Sequence, residues 1–540
     1  MIKKPAGGYK LIFGYFGLFL ILIGIICLLP LFMLIFYPGE ANELFSFLIP
    51  GLSSIVVGIL LSLLIIKRDK MRLGKFQDAI LLVGIWLLAI LVGAVPFMLR
   101  GVFSVGDFSY SMGFADSVFE STSGYSATGL TVFNFDTSAP GYHLFTFYRS
   151  CLLLFGGIGL VLIVTSAISD RYGLKLYTAE GHNDKLMPNL AKSARLILLI
   201  YLGYIVLGTL SYYFIGGLSL FDAVNHSIAA VATGGFSTHP DGLPGIIAAG
   251  GINNLNIPIN AIAINITSVI LMILGSTNFL LHLFLFKGKI KNIVKDCEIR
   301  FFGIMCIIFI PMFFGAVMTS KITSNDPFLA LSDGAFLFFT SISTTGFSTV
   351  SHIKALGEAA VLLAMIMMII GGGMGSTAGA LKQYRVVIAF KSLYWSIRDR
   401  LAPKSKYYPH TITRLGQTRE IEQMEIYESL GYIILYITIM LLGGVSLAMI
   451  SGGVYGASDC LFEFASALSG TGLSVGVTNG LVWQEVTGIG AMVPAGLAMP
   501  QMLAIRWVLV AAMFAGRLEI TCIYFAFFRI VRDILRKETI

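Results

Sequence analysis

The feature that most restricts what this chain can fold into is a polar segment that occurs four times. ADSVFESTSGYSATGLT, residues 115–131, returns as FDAVNHSIAAVATGGFS from Phe221, as SDGAFLFFTSISTTGFS from Ser332 and as SDCLFEFASALSGTGLS from Ser458. In every copy an aspartate stands 13 positions before a glycine: Asp116 and Gly129, Asp222 and Gly235, Asp333 and Gly346, Asp459 and Gly472. The residue after each glycine is bulky (Leu130, Phe236, Phe347, Leu473) and the next carries a hydroxyl (Thr131, Ser237, Ser348, Ser474). A pattern kept four times is an internal repeat, and a repeat sets the architecture before any single residue does.

The setting is a lipid bilayer. A chain of 540 residues with 56% hydrophobic and 12% charged residues and a mean hydropathy of +0.85 is too apolar to be soluble at that length. Apolar runs near 9–37, 44–66, 79–99, 143–168, 195–217, 257–286, 301–320, 356–381, 427–451 and 503–528 mostly reach the roughly 20 residues a spanning helix needs, which predicts ten spans. The first run is too long for a signal-peptide core and lacks a clear cleavage site, so it counts as a span. Lys and Arg gather in alternate connections, with 31 of the 37 on one side. If that side is cytoplasmic, both termini are inside and all four polar segments enter from outside. The net charge of +8 therefore reports topology rather than a basic face for nucleic acid. Six scattered cysteines, without a CxxC or Cys/His cluster, read as packing thiols.

A polar segment whose two flanking spans leave from the same face cannot lie against lipid, because each unpaired backbone group would cost several kcal/mol. It must be buried in protein or line water. About nine residues after each aspartate are helix-compatible, and Asp116, Asp222, Asp333 and Asp459 suit the N-cap of such a helix. The helix then meets a turn at SATGLT, ATGGFS, STTGFS or SGTGLS. Glycine gives that turn the dihedral freedom to aim carbonyls at a passing ion. Four such turns can surround an axis, and a ring of carbonyls replacing an ion's hydration shell is the logic of a potassium-selective filter.

With FYRSCLLLFGGIGLVLI from Phe147, NFLLHLF from Asn278, GGGMGSTAGALK from Gly371 and GRLEI from Gly516, the chain resembles the Trk/Ktr/HKT superfamily of cation-translocating subunits, most closely its Trk type. The resemblance covers roughly residues 76–529. It implies an all-α polytopic membrane protein of four covalently linked helix/pore-loop/helix repeats around one pore, preceded by an N-terminal helix pair. The expected division is residues 1–75 for that pair, then 76–170, 171–290, 291–400 and 401–540 for the repeats, the last with a basic tail. Gly129, Gly235, Gly346 and Gly472 carry over as filter glycines. Thr128, Thr345 and Thr471 precede three of them, whereas Gly234 precedes the second and breaks the symmetry of the deepest layer. Family members that pass sodium freely often have serine at the first glycine, so Gly129 implies potassium as the transported ligand.

Gly371, Gly372, Gly373 and Gly375, with Ser376, interrupt the last helix of the third repeat, which opposes a straight helix. By the resemblance this is an intramembrane gate below the filter. Arg517 is expected near the middle of the last span, where a buried arginine is costly and faces water; Glu519, two residues on, would face elsewhere. In the family a matching arginine sits under the filter. Two other readings stand beside this one: a secondary cation symporter working by alternating access, and the pore subunit of a P-type potassium ATPase complex. No phosphate loop, HExxH or dinucleotide motif supports an enzyme or a covalent cofactor. Nucleotide control would therefore need a separate protein. The resemblance implies a cytosolic ring of regulatory subunits of the TrkA type, docked on basic segments that include Arg398, Arg400, Lys404 and Lys406. A ring offers an even arrangement of contacts, so two copies of the chain, each with a complete pore, are expected to share it as a homodimer in a bacterial plasma membrane.

Overall fold

The computed structural model describes residues 8–66, 77–100, 103–105, 108–110, 112–133, 141–160, 190–250, 253–320, 326–403, 408–478 and 497–535. Helices dominate, with two short antiparallel hairpins, Phe103–Val105 with Phe108–Tyr110 and Thr411–Arg414 with Gln417–Glu420. Among the described residues seven helices are long and apolar enough to cross a membrane. An eighth candidate, Ala261–Ser276 followed by Phe279–Phe286, is bent by 106°.

Ten spans were expected, one of them, the last helix of the third repeat, interrupted by its glycines; the structure interrupts the last helix of every repeat. Among the described residues, the run near 143–168 carries the helix Tyr142–Ile158, which is interrupted at Gly159; the run near 356–381 carries a helix that stops at Ile370; the run near 503–528 divides into Met499–Arg517 and Ile520–Leu535. With the bend after Ser276, all four inner helices break. Three of the four ends are closely packed. A Cβ on Gly156, Gly275 or Gly516 would strike the backbone of Tyr125, Val231 or Leu468 respectively, each four residues before one of the repeated glycines. Hydropathy reports that a run is apolar, not where a helix within it ends.

Each repeat is an outer helix, a short pore helix and an inner helix. The pore helices are Phe114–Ser126, Leu220–Val231, Pro327–Ile342 and Ala457–Ser469. Each packs on the outer helix before it and the inner helix after it. The inner helices then reach across: Tyr142–Ile158 packs on the second pore helix, Ala261–Ser276 on the third, Glu358–Ile370 on the fourth, and Met499–Arg517 returns to the first. The circuit closes within one chain. Outside it, Gly8–Leu28 and Leu44–Ile66 pack along a seam of Gly17, Gly24, Gly51 and Gly58, the small-residue close approach that joins helices in lipid. This pair rests on the first outer helix, Gln77–Leu99.

Candidate functional site: the loop ring and the loop beneath it

Each pore helix ends on a residue in the left-handed region: Ala127 (φ 54°), Thr233 (φ 51°), Thr344 (φ 54°) and Gly470 (φ 70°). The next N–H then bonds back five residues, Thr128 to Ser123 O, Gly234 to Ala229 O, Thr345 to Thr340 O and Thr471 to Ser466 O, at 2.9–3.0 Å. This helix-ending motif normally takes glycine, and here three of the four residues are not glycine. The turn is therefore held by its surroundings. Two residues on, Gly129, Gly235, Gly346 and Gly472 also have positive φ, 86°, 66°, 90° and 83°.

The decisive geometry is what surrounds these four glycines. A Cβ on Gly129 would collide with the carbonyl oxygen of Gly234, one on Gly235 with that of Thr345, one on Gly346 with that of Thr471, and one on Gly472 with that of Thr128. Each loop thus presses on the next, and the fourth presses on the first. All eight residues expected at the filter meet in this closed ring. The C-terminal ends of the four pore helices point at it, so their negative dipole ends favour a cation there.

The second repeat is different, as its sequence suggested. The hydroxyls of Thr128, Thr345 and Thr471 bond those of Ser126, Ser343 and Ser469 at 2.7 Å. Ala232 and Gly234 carry no such pair. Thr233 instead turns its hydroxyl to Thr377, 3.0 Å away in the glycine-rich loop.

The four aspartates are not the helix caps that their spacing suggested. The N-caps are Gly113, Ser219, Asp326 and Gly456. Asp116, Asp222 and Asp459 therefore sit at the third helical position and Asp333 at the seventh. Because capping starts upstream, these carboxylates reach other groups. Asp222 accepts the Thr238 hydroxyl at 2.6 Å, Asp333 bonds Thr349, Asp459 faces Lys354 at 2.5 Å, and Asp116 pairs with Arg506, both buried. Asp116→Ala is thus expected to cost about 3–5 kcal/mol, as breaking a buried pair does, rather than the ~1 kcal/mol of a lost cap. Thermal unfolding in detergent measures the difference.

Residues that the sequence reading passed over lie behind the ring. Nine positions before the ring glycines stand Glu120, His226, Leu337 and Glu463, and the three polar ones hold the outgoing leg of their own loop. Glu120 accepts from the Thr131 hydroxyl and the Phe133 N–H. His226 Nε2 lies 3.1 Å from Ser237 Oγ. Glu463 accepts from Ser474 Oγ at 2.7 Å and from the N–H groups of Val475 and Thr478. A polar residue at one constant distance from the glycine was the available signal.

The loop from Gly371 to Lys382 lies at the inner ends of the pore helices. Thr377 Oγ1 lies 2.9 Å from Gly275 O and 3.1 Å from Val231 O, the Gly379 N–H donates to Thr344 Oγ1 at 2.9 Å, and a Cβ on Gly379 would strike Ser469 O. It thereby touches the ends of three pore helices. Gly372, Gly373 and Gly375 pack on Ser276 and Asn278, and the Met374 N–H is held by Glu298 at 2.8 Å. Ser376 bonds within the loop to Gly373 O.

Arg517 closes this arrangement, though from a helix end and not from mid-span. Its guanidinium donates to Thr377 O at 3.3 Å, to Gly157 O at 2.8 Å and to Gly156 O. The last two carbonyls end the helix Tyr142–Ile158, where negative partial charge suits a cation. Glu519 instead bonds Arg385 at 2.8 Å. Between the ring and the loop lies a cavity of about 30 Å³, lined by Ser126, Thr377, Lys382, Ser469 and Arg517, room for about two water-sized particles. Lys382, a second cation here, was also missed.

A closed ring of loops within a multi-pass helical bundle is the fold of a membrane transport protein. The chain belongs to the TrkH family: the family model described as "Cation transport protein" matches residues 97–533. It is 29% identical over 482 residues to an uncharacterized cation transporter of Methanocaldococcus jannaschii, covering 89% of this chain and 90% of that one. It is 28% identical over 466 residues to the Trk system potassium uptake protein TrkH of Escherichia coli K12, covering 84% and 85%. The crystal structure of the potassium transporter TrkH from Vibrio parahaemolyticus superposes with a TM-score of 0.74 at 21% identity, over 96% of this chain and 98% of that one, which establishes the shared fold.

Proposed function

We propose that this chain is the potassium-translocating subunit of a Trk-type uptake system, conducting K⁺ through the four-loop ring and gated by the loop from Gly371 to Lys382. One observation carries the reading: four glycines at positive φ, each meeting the carbonyl oxygen of the next repeat, in a circuit that returns to the first. Backbone carbonyls arranged in a ring can replace a monovalent ion's water shell. The Thr128, Thr345 and Thr471 hydroxyls belong to the deepest layer, open on the side of Gly234. The test is flux into proteoliposomes of purified protein: K⁺ uptake should exceed Na⁺ uptake at equal gradients, and equal rates would overturn the reading.

The position of Glu519 favours permeation over ion-coupled symport, because the carboxylate is committed to Arg385. The positive-inside pattern supports both termini in the cytoplasm. A pore complete in one chain allows two copies, a homodimer, to share one nucleotide-binding ring of the TrkA type. For that docking, Arg398 is a poor probe, since it bonds Asp399 and Tyr408 O; Lys404 and Lys406 lie outside the described residues. Arg400 is exposed. Arg400→Glu is expected to weaken regulator binding at low salt, where charge contacts are strongest, and to leave ion selectivity unchanged; unaltered binding removes Arg400 from the docking face.

A further inference from the structure

Arg149, on the inner helix of the first repeat, is buried at 4% exposure and touches the ring from behind on two sides. Its guanidinium carbon lies 3.9 Å from the centre of the Phe236 ring, and Phe236 is the residue next to the filter glycine Gly235. Its Nη2 lies 4.0 Å from Glu120 Oε1. Glu120, fully buried, is the group that holds the outgoing leg of the first loop through Thr131 and Phe133. One side chain thus meets the loops of two successive repeats.

We propose that Arg149 is a positioning residue for ion selectivity, fixing the spacing between the first and second filter loops. The proposal rests on the filter reading above and deepens it. Two physical effects act together. The arginine's positive charge stabilises a carboxylate that has no water around it, keeping Glu120 as an acceptor for the Thr131 hydroxyl and the Phe133 N–H. Its planar face attracts the Phe236 ring, which pins the second loop against the first. The second loop needs such a brace more than the others, because Ala232 and Gly234 lack the serine–threonine hydroxyl pair that ties Thr128, Thr345 and Thr471. A related contact follows one repeat on, where the His226 ring, bonded to Ser237, stacks on Phe347 at 5.9 Å. Phe347 is the residue after Gly346, so in both cases a polar group behind one loop holds the aromatic beside the next glycine.

The test is the K⁺ to Na⁺ flux ratio in proteoliposomes for Arg149→Met, Glu120→Gln, the double variant and Gly129→Ser. Removing one member of a buried charge pair is far worse than removing both, so each single change is expected to lower the ratio by about five- to tenfold. The double variant should recover only the part of the ratio lost to the unpaired charge, since glutamine still accepts a hydrogen bond but the face against Phe236 is gone, and so should lie between the single variants and the parent. A purely structural arginine would lower yield without this pattern of loss and recovery. If Arg149→Met does not fold, Glu120→Gln and the double variant decide: the proposal stands if the double variant is the more selective of the two and falls if it is not. A folded Arg149→Met variant with the parent's ratio overturns the proposal. Where Gly129→Ser then still loses selectivity, the filter reading survives; where it too keeps the parent's ratio, both fail.

Discussion

Gly129→Ser is expected to lower the K⁺ to Na⁺ flux ratio by about tenfold or more, equivalent to at least ~1.4 kcal/mol of lost discrimination. Two costs coincide at this position. A non-glycine residue at φ 86° is strained by about 1–3 kcal/mol, and its Cβ would occupy the place of the Gly234 carbonyl oxygen. The nearest relief is to push that carbonyl away, and Gly234 belongs to the second loop, which has the fewest hydroxyl ties. The effect should therefore spread to the neighbouring repeat. Ala substitution at Gly346, which would strike Thr471 O, should act in the same direction. Selectivity equal to the parent's in either folded variant would count against the ring as a filter.

The second large effect is expected at the gate. Shortening residues 371–379 should raise cation flux by about tenfold or more while selectivity is kept, because the obstruction lies beneath the ring and not in it. Arg517→Ala should raise flux as well, by two routes. It removes a positive charge from the cavity below the filter, and it removes the charged hydrogen bonds to Thr377, Gly156 and Gly157 that fasten the loop, each worth about 1.5–3 kcal/mol. Arg517→Lys separates the routes, since it keeps the charge and loses the fork. If fastening dominates, as the three carbonyl contacts argue, the lysine variant also conducts faster than the parent. Loss of all transport in folded forms of both the shortened loop and Arg517→Ala would sink the gate reading.

The membrane setting, the fourfold repeat and the eight ring residues were legible in sequence for one reason. Each rests on a local quantity, hydropathy or a fixed spacing, that does not depend on what packs against it. The aspartates were misread for the converse reason. A spacing can mark a helix start only to within a turn, and the true caps at Ser219 and Asp326 lay upstream. Arg517 was placed mid-span because the apolar run continues to residue 528, whereas the helix ends where Gly516 meets the Leu468 backbone.

What the sequence determined by itself is therefore the class of fold and the identity of the loops: an apolar chain must satisfy its backbone in lipid, and four polar segments with glycine at one register have few ways to do so. What the tertiary structure decided is which atoms meet. The order in which each glycine faces the next carbonyl, the clasp of Thr233 on Thr377, the pairing of Arg506 with Asp116 and the seat of Arg149 between Glu120 and Phe236 join residues from 29 to 390 positions apart in the chain. Contacts at that separation are set by the packing of inner helices on neighbouring pore helices, and periodicity along one helix carries no information about them.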